Sequence, residues 1–279
     1  MVTKQDSDLL AKVIKFLFWP MAILVMFFLL VPVYIMVKVS LSAPQDILTQ
    51  HPPFLIHNFT WNHWLKVLKS GNLWLPFQKS FVVATITTVI AIMVAAPAAY
   101  VISRMPKKVR YTVILSLFFT RMFPEVGIAL PIAVNFIKLN LLDTYTGLIL
   151  AHLVKVLPFI AWILVGTFET IPEDLEQAAM VDGASRWTAL TKVVFPISLS
   201  GIAVAAIFTW LESWNEFTYA LYLTLSQRSL PLQTYYYVLR GDWFQSAAYS
   251  TILTIPVALV TFLLQRYLKS GYLSGAIKG

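Results

Sequence analysis

Three groups of residues in this chain have types and spacings that could do chemistry. Arg121 and Glu125 lie four apart in an apolar run, which places opposite charges on one face of a helix. His152 and Lys155 interrupt a second apolar run. Glu212, Asn215 and Glu216 share a helical face in a third, flanked by Trp210 and Trp214. Carboxylates and an amide can bond solute hydroxyls, and indoles can stack on a ring. Trp210, Glu212, Trp214, Asn215 and Glu216 are therefore candidates for a polar solute path, although two carboxylates four apart repel unless water or a cation intervenes. Arg121 and Glu125 can satisfy each other, so they are the candidate intramembrane ion pair.

The elements that must position these groups are membrane helices. The chain has 279 residues, of which 58% are hydrophobic and only 12% charged, with a mean hydropathy of +0.74. Soluble domains carry about 25% charged residues, so the composition indicates a polytopic all-α membrane protein, expected as one domain over 1–279. Six segments approach the roughly 20 apolar residues that a span needs: about 17–37, 80–102, 112–137, 145–168, 197–225 and 245–264. The first is too long for the apolar part of a signal peptide and is read as retained. At about 1.5 Å per residue, Arg121 and Lys155 reach similar depths, and so do Glu125 and Glu212, so opposite charges are expected to meet inside the bilayer.

Flanking charge sets the orientation. Lys4, Lys12, Lys15, Arg104, Lys107, Lys108, Arg110, Arg186, Lys192, Arg266, Lys269 and Lys278 fall on one side of six spans. That side is richer in Lys and Arg than the other, which predicts both termini in the cytoplasm. The net charge of +8 follows from this bias rather than from a basic nucleic-acid-binding run. There is no cysteine, which removes disulfides, thiolate metal sites and thiol nucleophiles. The long outer loop, 39–79, carries His51, His57 and His63, whose spacings of six suit surface histidines better than a zinc site. No metal site is expected.

One polar stretch between the fourth and fifth spans looks helical. Thr170 and Glu173 have the spacing of a capping box, with Pro172 in the first turn. Glu173, Asp174 and Glu176 oppose the positive end of the helix dipole. Gly183 is a natural stop, and Ser185 can cap a second helix that must end near Pro196. The result is a helix-turn-helix over 170–196. Its first helix opens with acids and has no base, which suits a groove on a partner protein better than an anionic lipid surface.

The triplet Gln177-Ala178-Ala179, then Gly183 after three residues, then Val193-x-Phe195-Pro196 after nine more, resembles the Glu-Ala-Ala loop of ABC importer permeases. Gln177 replaces the family's glutamate. The stretches APAAYVISRM, LPIAVNFIKLNLLDTYTGLIL and LPFIAWILVGTFETIP, with Trp214–Phe217 and the ending GAIKG, resemble the carbohydrate branch and its maltose-permease-like second subunit.

The resemblance implies six transmembrane helices with a cytoplasmic coupling loop, in a prokaryotic cytoplasmic membrane. It also implies a second permease subunit, an ABC ATPase dimer and an extracytoplasmic solute-binding protein that delivers a carbohydrate. Glu176, Gln177, Ala178, Ala179, Asp182, Gly183 and Pro196 would then form the ATPase-coupling segment. No G-x-x-x-x-G-K-[ST] phosphate loop is present. ATP and Mg are accordingly expected on the partner, with no cofactor and no enzyme activity in this chain. The alternative is an ion-coupled secondary transporter using Glu125, Lys155 or Glu212. An intramembrane hydrolase ranks below both, since no G-x-S-x-G frames a serine.

Overall fold

A computed structural model describes the backbone of residues 4–273 and the side chains of residues 16–263. The ending at 275–279 lies outside them, as do the side chains of Lys4, Lys12, Lys15, Arg266, Lys269 and Lys278. The described chain is almost wholly helical. Its one β pairing is an isolated bridge between Ser42 and Phe59. Packing divides it into two compact units, Met1–Ser70 with Tyr237–Ile252, and Gly71–Tyr236 with Leu253–Gly279.

The first unit contains α1 (Lys4–Leu41), α2 (Pro44–Ile47) and α3 (Asn62–Lys69). Its loop is tied rather than loose. Asp46 accepts from the Asn58 backbone N–H at 2.7 Å and from its side-chain amide at 2.8 Å. Lys38 Nζ donates to Pro53 O. His51 and His57 are exposed, but His63 is buried, contrary to the surface reading. Its ring stacks on Phe244 at 4.7 Å and its Nε2 lies 3.0 Å from Ser42 O. The flat ring fills apolar space while one nitrogen serves a buried backbone group.

The second unit runs through α4 (Trp74–Ser103), α5 (Lys107–Thr120), α6 (Glu125–Lys138) and α7 (Tyr145–Glu169). It continues with α8 (Glu173–Val181), α9 (Arg186–Ala189), a π-helical turn Leu190–Val194, α10 (Phe195–Ile197), α11 (Leu199–Trp214) and α12 (Thr218–Leu223). Two more helices, α13 (Leu230–Leu239) and α14 (Trp243–Leu273), contribute one end to each unit. The packed centre is α4, α7 and α11. The reason is small side chains: Ala84, Thr87, Ala91, Ala95 and Ala99 form one buried stripe along α4. Small residues let backbones approach closely, which is the main attraction available between helices in lipid.

Among the described residues, four helices are long and apolar enough to cross a membrane, or up to six if each of two bent pairs is one span. The pairs are α5 with α6 and Arg186–Ile197 with α11, each bent by 77°. Pro124 explains the first bend, because it lacks an N–H and drives the preceding residue out of the α region. The second falls at Ser198, just after Pro196. Pro97, Pro131, Pro158 and Pro256 instead sit inside continuous helices. The fifth apolar segment, expected to reach about residue 225, stops as a helix at Trp214.

Two contacts on this frame are open to direct test. A methyl group at Gly201 on α11 would lie 2.2 Å from Thr167 Cγ2 on α7. Gly201→Ala should therefore cost about 1–3 kcal/mol through overpacking, seen as a lower midpoint of thermal unfolding in detergent. Adding Thr167→Ala should recover part of it.

Asp143, in the left-handed region at φ 58°, precedes α7. Burial alone pushes its carboxyl up, but hydrogen bonds from Ser226 Oγ, Leu225 N and Ser226 N, with Lys79 at 4.0 Å, hold it below the usual 3.8. A lowered carboxylate pKa stabilises the fold above 3.8 and loses that effect as pH falls through the lowered value. The stability gap between wild type and Asp143→Asn should be full at neutral pH and shrink in acid below that point. A pH-independent gap would refute this reading.

Candidate functional site

The α8–α9 elbow is built from its ends inward. Pro172 is the N-cap of α8 and makes no side-chain cap. The expected Thr170–Glu173 capping box does not form, because Thr170 ends α7 and its hydroxyl donates to Thr167 O at 2.8 Å. Glu173, Asp174 and Glu176 occupy the first turn and favour the dipole electrostatically instead. At the other end, Ala184 N donates to Ala179 O at 3.0 Å and Gly183 N to Met180 O at 3.1 Å. This is a Schellman stop with Gly183 at φ +90°, a conformation that suits glycine. Ser185 caps α9 by accepting from Thr188 N at 3.2 Å. The helix then widens into a π turn, with Phe195 N donating to Leu190 O, and passes Pro196 to end at Ile197.

Glu176 turns inward and is 7% exposed. Its carboxylate pairs with the Arg104 guanidinium through Nε at 2.9 Å and through Nη2, and accepts from Tyr100 Oη at 2.6 Å. Arg104 also donates to Phe168 O at 3.0 Å and Ile171 O at 3.3 Å. One guanidinium thus joins the ends of α4 and α7 to α8. Beside it Arg110 on α5 pairs with Glu169 at 2.5 Å. On the far side of α8, Leu175, Ala178 and Val181 are exposed, as are Gln177 and Asp182, while Ala179 is half-buried. Sequence reasoning missed Arg104, although Tyr100 and Arg104 are four apart at a helix end.

Arg121, Glu125, Lys155 and Glu212 come together, but with partners other than the expected pair. Lys155 Nζ lies 3.1 Å from Glu125 Oε1 and 3.8 Å from Glu212 Oε2. Arg121 Nη2 lies 4.0 Å from Glu212 Oε2. Arg121 and Glu125 are not paired with each other, because Arg121 is the C-cap of α5 and Glu125 opens α6 across the bend. The four-residue relation of a straight helix is lost there. Both glutamates stay about two-fifths exposed, at 40% and 42% of the side chain. Aromatic rings border the quartet: Arg121 stands 5.7 Å over Phe159, which touches Trp162 at 5.7 Å and Phe208 at 5.8 Å. The signal for this face was present as helical spacing, in Lys155, Phe159 and Trp162 and again in Phe208, Glu212 and Asn215.

The five path candidates separate into two sets. Trp214 is fully buried and its Nε1 donates to Leu253 O at 3.1 Å. Glu216 is also buried, accepting from Tyr219 N at 2.7 Å and Ala220 N at 3.1 Å to start α12. His152 Nε2 faces it at 3.2 Å, and His152 Nδ1 shares a 2.6 Å hydrogen bond with Ser213 Oγ. This serine, histidine and glutamate are all enclosed and engaged, so they are structural and not a nucleophile with its base. Both Trp214 and Glu216 are therefore withdrawn from any solute. Trp210 is half-buried, stacked on Trp214 at 5.0 Å and donating to Thr85 Oγ1 at 3.3 Å. Glu212 and Asn215 remain open, with Asn215 held only by a bond to Leu211 O at 3.0 Å.

Known proteins resemble this chain in sequence and fold. The chain is 30% identical to the trehalose/maltose transport system permease protein MalG of Thermococcus litoralis, over 92% of this chain and 95% of that one. It is 28% identical to the diacetylchitobiose uptake system permease protein DasC of Streptomyces coelicolor, over 94% and 97%. Its fold matches a chain of a bacterial ABC transporter that imports the acidic polysaccharide alginate, with a TM-score of 0.73, 21% identity and coverage of 96% and 99%. Residues 87–273 match the model of the binding-protein-dependent transport system inner membrane component. The chain belongs to that family, and the matched residues include the elbow and Arg121, Glu125, Lys155 and Glu212.

Proposed function

We propose that this chain is one transmembrane subunit of a binding-protein-dependent ABC importer and forms half of a path for a sugar or oligosaccharide. The observation that carries the coupling reading is the two-sided α8. One side is locked to α4 and α7 through Glu176, and the other presents Leu175, Ala178 and Val181 outward with Asp174 at its N-terminal end. An apolar helix face held on a rigid support is the helix-in-groove mode of recognition. The groove belongs to a separate ATPase, which holds the ATP and Mg. A second permease subunit completes the path, and an extracytoplasmic binding protein supplies the solute. Reading each bent pair as one span gives six spans, with both termini and the elbow in the cytoplasm.

Carbohydrate is the substrate class because the named relatives carry sugars and because the open face suits it. Glu212 and Asn215 offer hydrogen bonds beside Phe208, Phe159 and Trp162, and sugars present hydroxyls on one edge and C–H groups on a ring face. The charge quartet is neutral in sum, which fits an uncharged solute better than an ion.

Two experiments on the reconstituted importer follow. Ala178→Trp should leave the chain folded and assembled with its partner permease but block ATPase docking, so that ATP hydrolysis no longer drives uptake. Normal coupled uptake would refute docking through that face. Glu176→Ala differs, because it strands a buried guanidinium at a cost of about 3–5 kcal/mol and should lower the unfolding midpoint as well. On the path, Glu212→Gln with Asn215→Ala should cut uptake about tenfold, the loss of one hydrogen bond to a charged group. Glu212 is also an ion-pair partner of Arg121 and Lys155, so uptake is compared at equal amounts of assembled complex. Unchanged uptake would move the path elsewhere.

A further inference from the structure

A groove of about 690 Å³ lies between the end of α4 and the α8–α9 elbow. Its walls are largely apolar, from Pro97, Val101, Met105, Met180 and Leu190. Two charges line it without an ion-pair partner among the described residues: Arg186, opening α9, and Glu173, opening α8. Arg104 and Glu176 also line it but are spent on each other. The groove therefore offers one free cation, one free anion and an apolar wall.

Its depth can be placed. The 30 residues of α4 span about 45 Å at about 1.5 Å per residue, against a hydrocarbon core of about 30 Å. The last turns of α4, with Val101, reach the headgroup layer. Trp187, 66% exposed at the rim, has the amphipathic ring common at that level. The groove face of α8, with Glu173, Gln177 and Met180, is also opposite the face that carries Leu175 and Ala178. A ligand in the groove does not compete with a partner on the other side.

We propose that this groove binds a zwitterionic aminophospholipid. Arg186 takes the phosphate, since a guanidinium matches phosphate oxygens with paired N–H donors. Glu173 takes the primary ammonium, and the acyl chains lie along Val101 and Leu190. Phosphatidylethanolamine has this layout. Phosphatidylcholine keeps the phosphate but has no N–H to give Glu173, and phosphatidylglycerol has no cation at all. The assignment rests on α4 crossing a bilayer and does not depend on what the protein transports.

The test is lipid retention by the intact, delipidated importer complex, titrated with phosphatidylethanolamine, phosphatidylcholine or phosphatidylglycerol and read by native mass spectrometry. Wild type should retain phosphatidylethanolamine about tenfold better than either competitor, the worth of one charge-assisted bond. Arg186→Gln should lower retention of both zwitterionic lipids by a similar factor. Glu173→Gln should erase the preference for phosphatidylethanolamine, lowering its retention the most and phosphatidylcholine only by the weaker lost attraction to its quaternary ammonium. Neither side chain has an ion-pair partner among the described residues, so unfolding midpoints should move by no more than the small first-turn dipole contribution of Glu173, and a large shift would show a structural role instead. Equal retention of the three lipids, a preference for phosphatidylglycerol, no retention, or an Arg186→Gln complex that binds as before would each overturn the proposal.

Discussion

The buried pair of Arg104 with Glu176 is the contact on which the elbow depends. The end of a membrane helix leaves carbonyls without partners just where the chain meets water. Arg104 meets that need for α7 by donating to Phe168 O and Ile171 O, and spends its remaining donors on Glu176. A buried ion pair adds little net stability, because desolvation offsets most of the attraction. What it adds here is position. Without the guanidinium, α8 would keep a single described side-chain tie to α4, the hydrogen bond from Tyr100 Oη to Glu176. With it, a short polar helix is fixed to the two most closely packed helices of the unit.

The same demand for partners organises the membrane interior. An unpaired charge there is costly, so charges collect where several helices can share them. Lys155 on α7 sits between Glu125 of α6 and Glu212 of α11, and Arg121 reaches Glu212 from the end of α5. Deeper in the protein, Glu216 serves a different need. It replaces lost backbone bonds at the break after Trp214, and its carboxylate begins α12. Two carboxylates four residues apart thus end in opposite situations, one half-open among charges and one enclosed as a cap. Their expected repulsion is avoided because the helix stops between them.

Much of this was legible in the sequence. Apolar length marked the membrane helices, and the spacing of Gly183, Ser185 and Pro196 marked the turn, its cap and the neighbourhood of the second bend. Depth counting put Lys155 level with Arg121 and Glu212 level with Glu125, so it showed that opposite charges could meet but not which would pair. What escaped has a common cause. The Arg121–Glu125 pairing assumed a straight helix, and Pro124 removes the periodicity on which that argument rests. The capping box assumed that Thr170 precedes α8, whereas it closes α7. Burial of His63, Trp214 and Glu216 depends on chain distant in sequence, such as Phe244, Leu253 and His152, and local spacing carries no record of such partners.

Gln177 can now be placed within this economy. The family motif sets a glutamate at that position, and here the acid that matters is Glu176, one residue earlier and about 100° around the helix. That rotation turns the carboxylate from the surface to the core, where Arg104 and Tyr100 engage it. The outward face of α8 is left with Leu175, Ala178 and Val181, with Asp174 in its first turn and Asp182 at its edge. The acid therefore acts on the helix from within: Glu176 ties α8 to α4 through Tyr100 and Arg104, and the exposed side of the helix is left without that restraint.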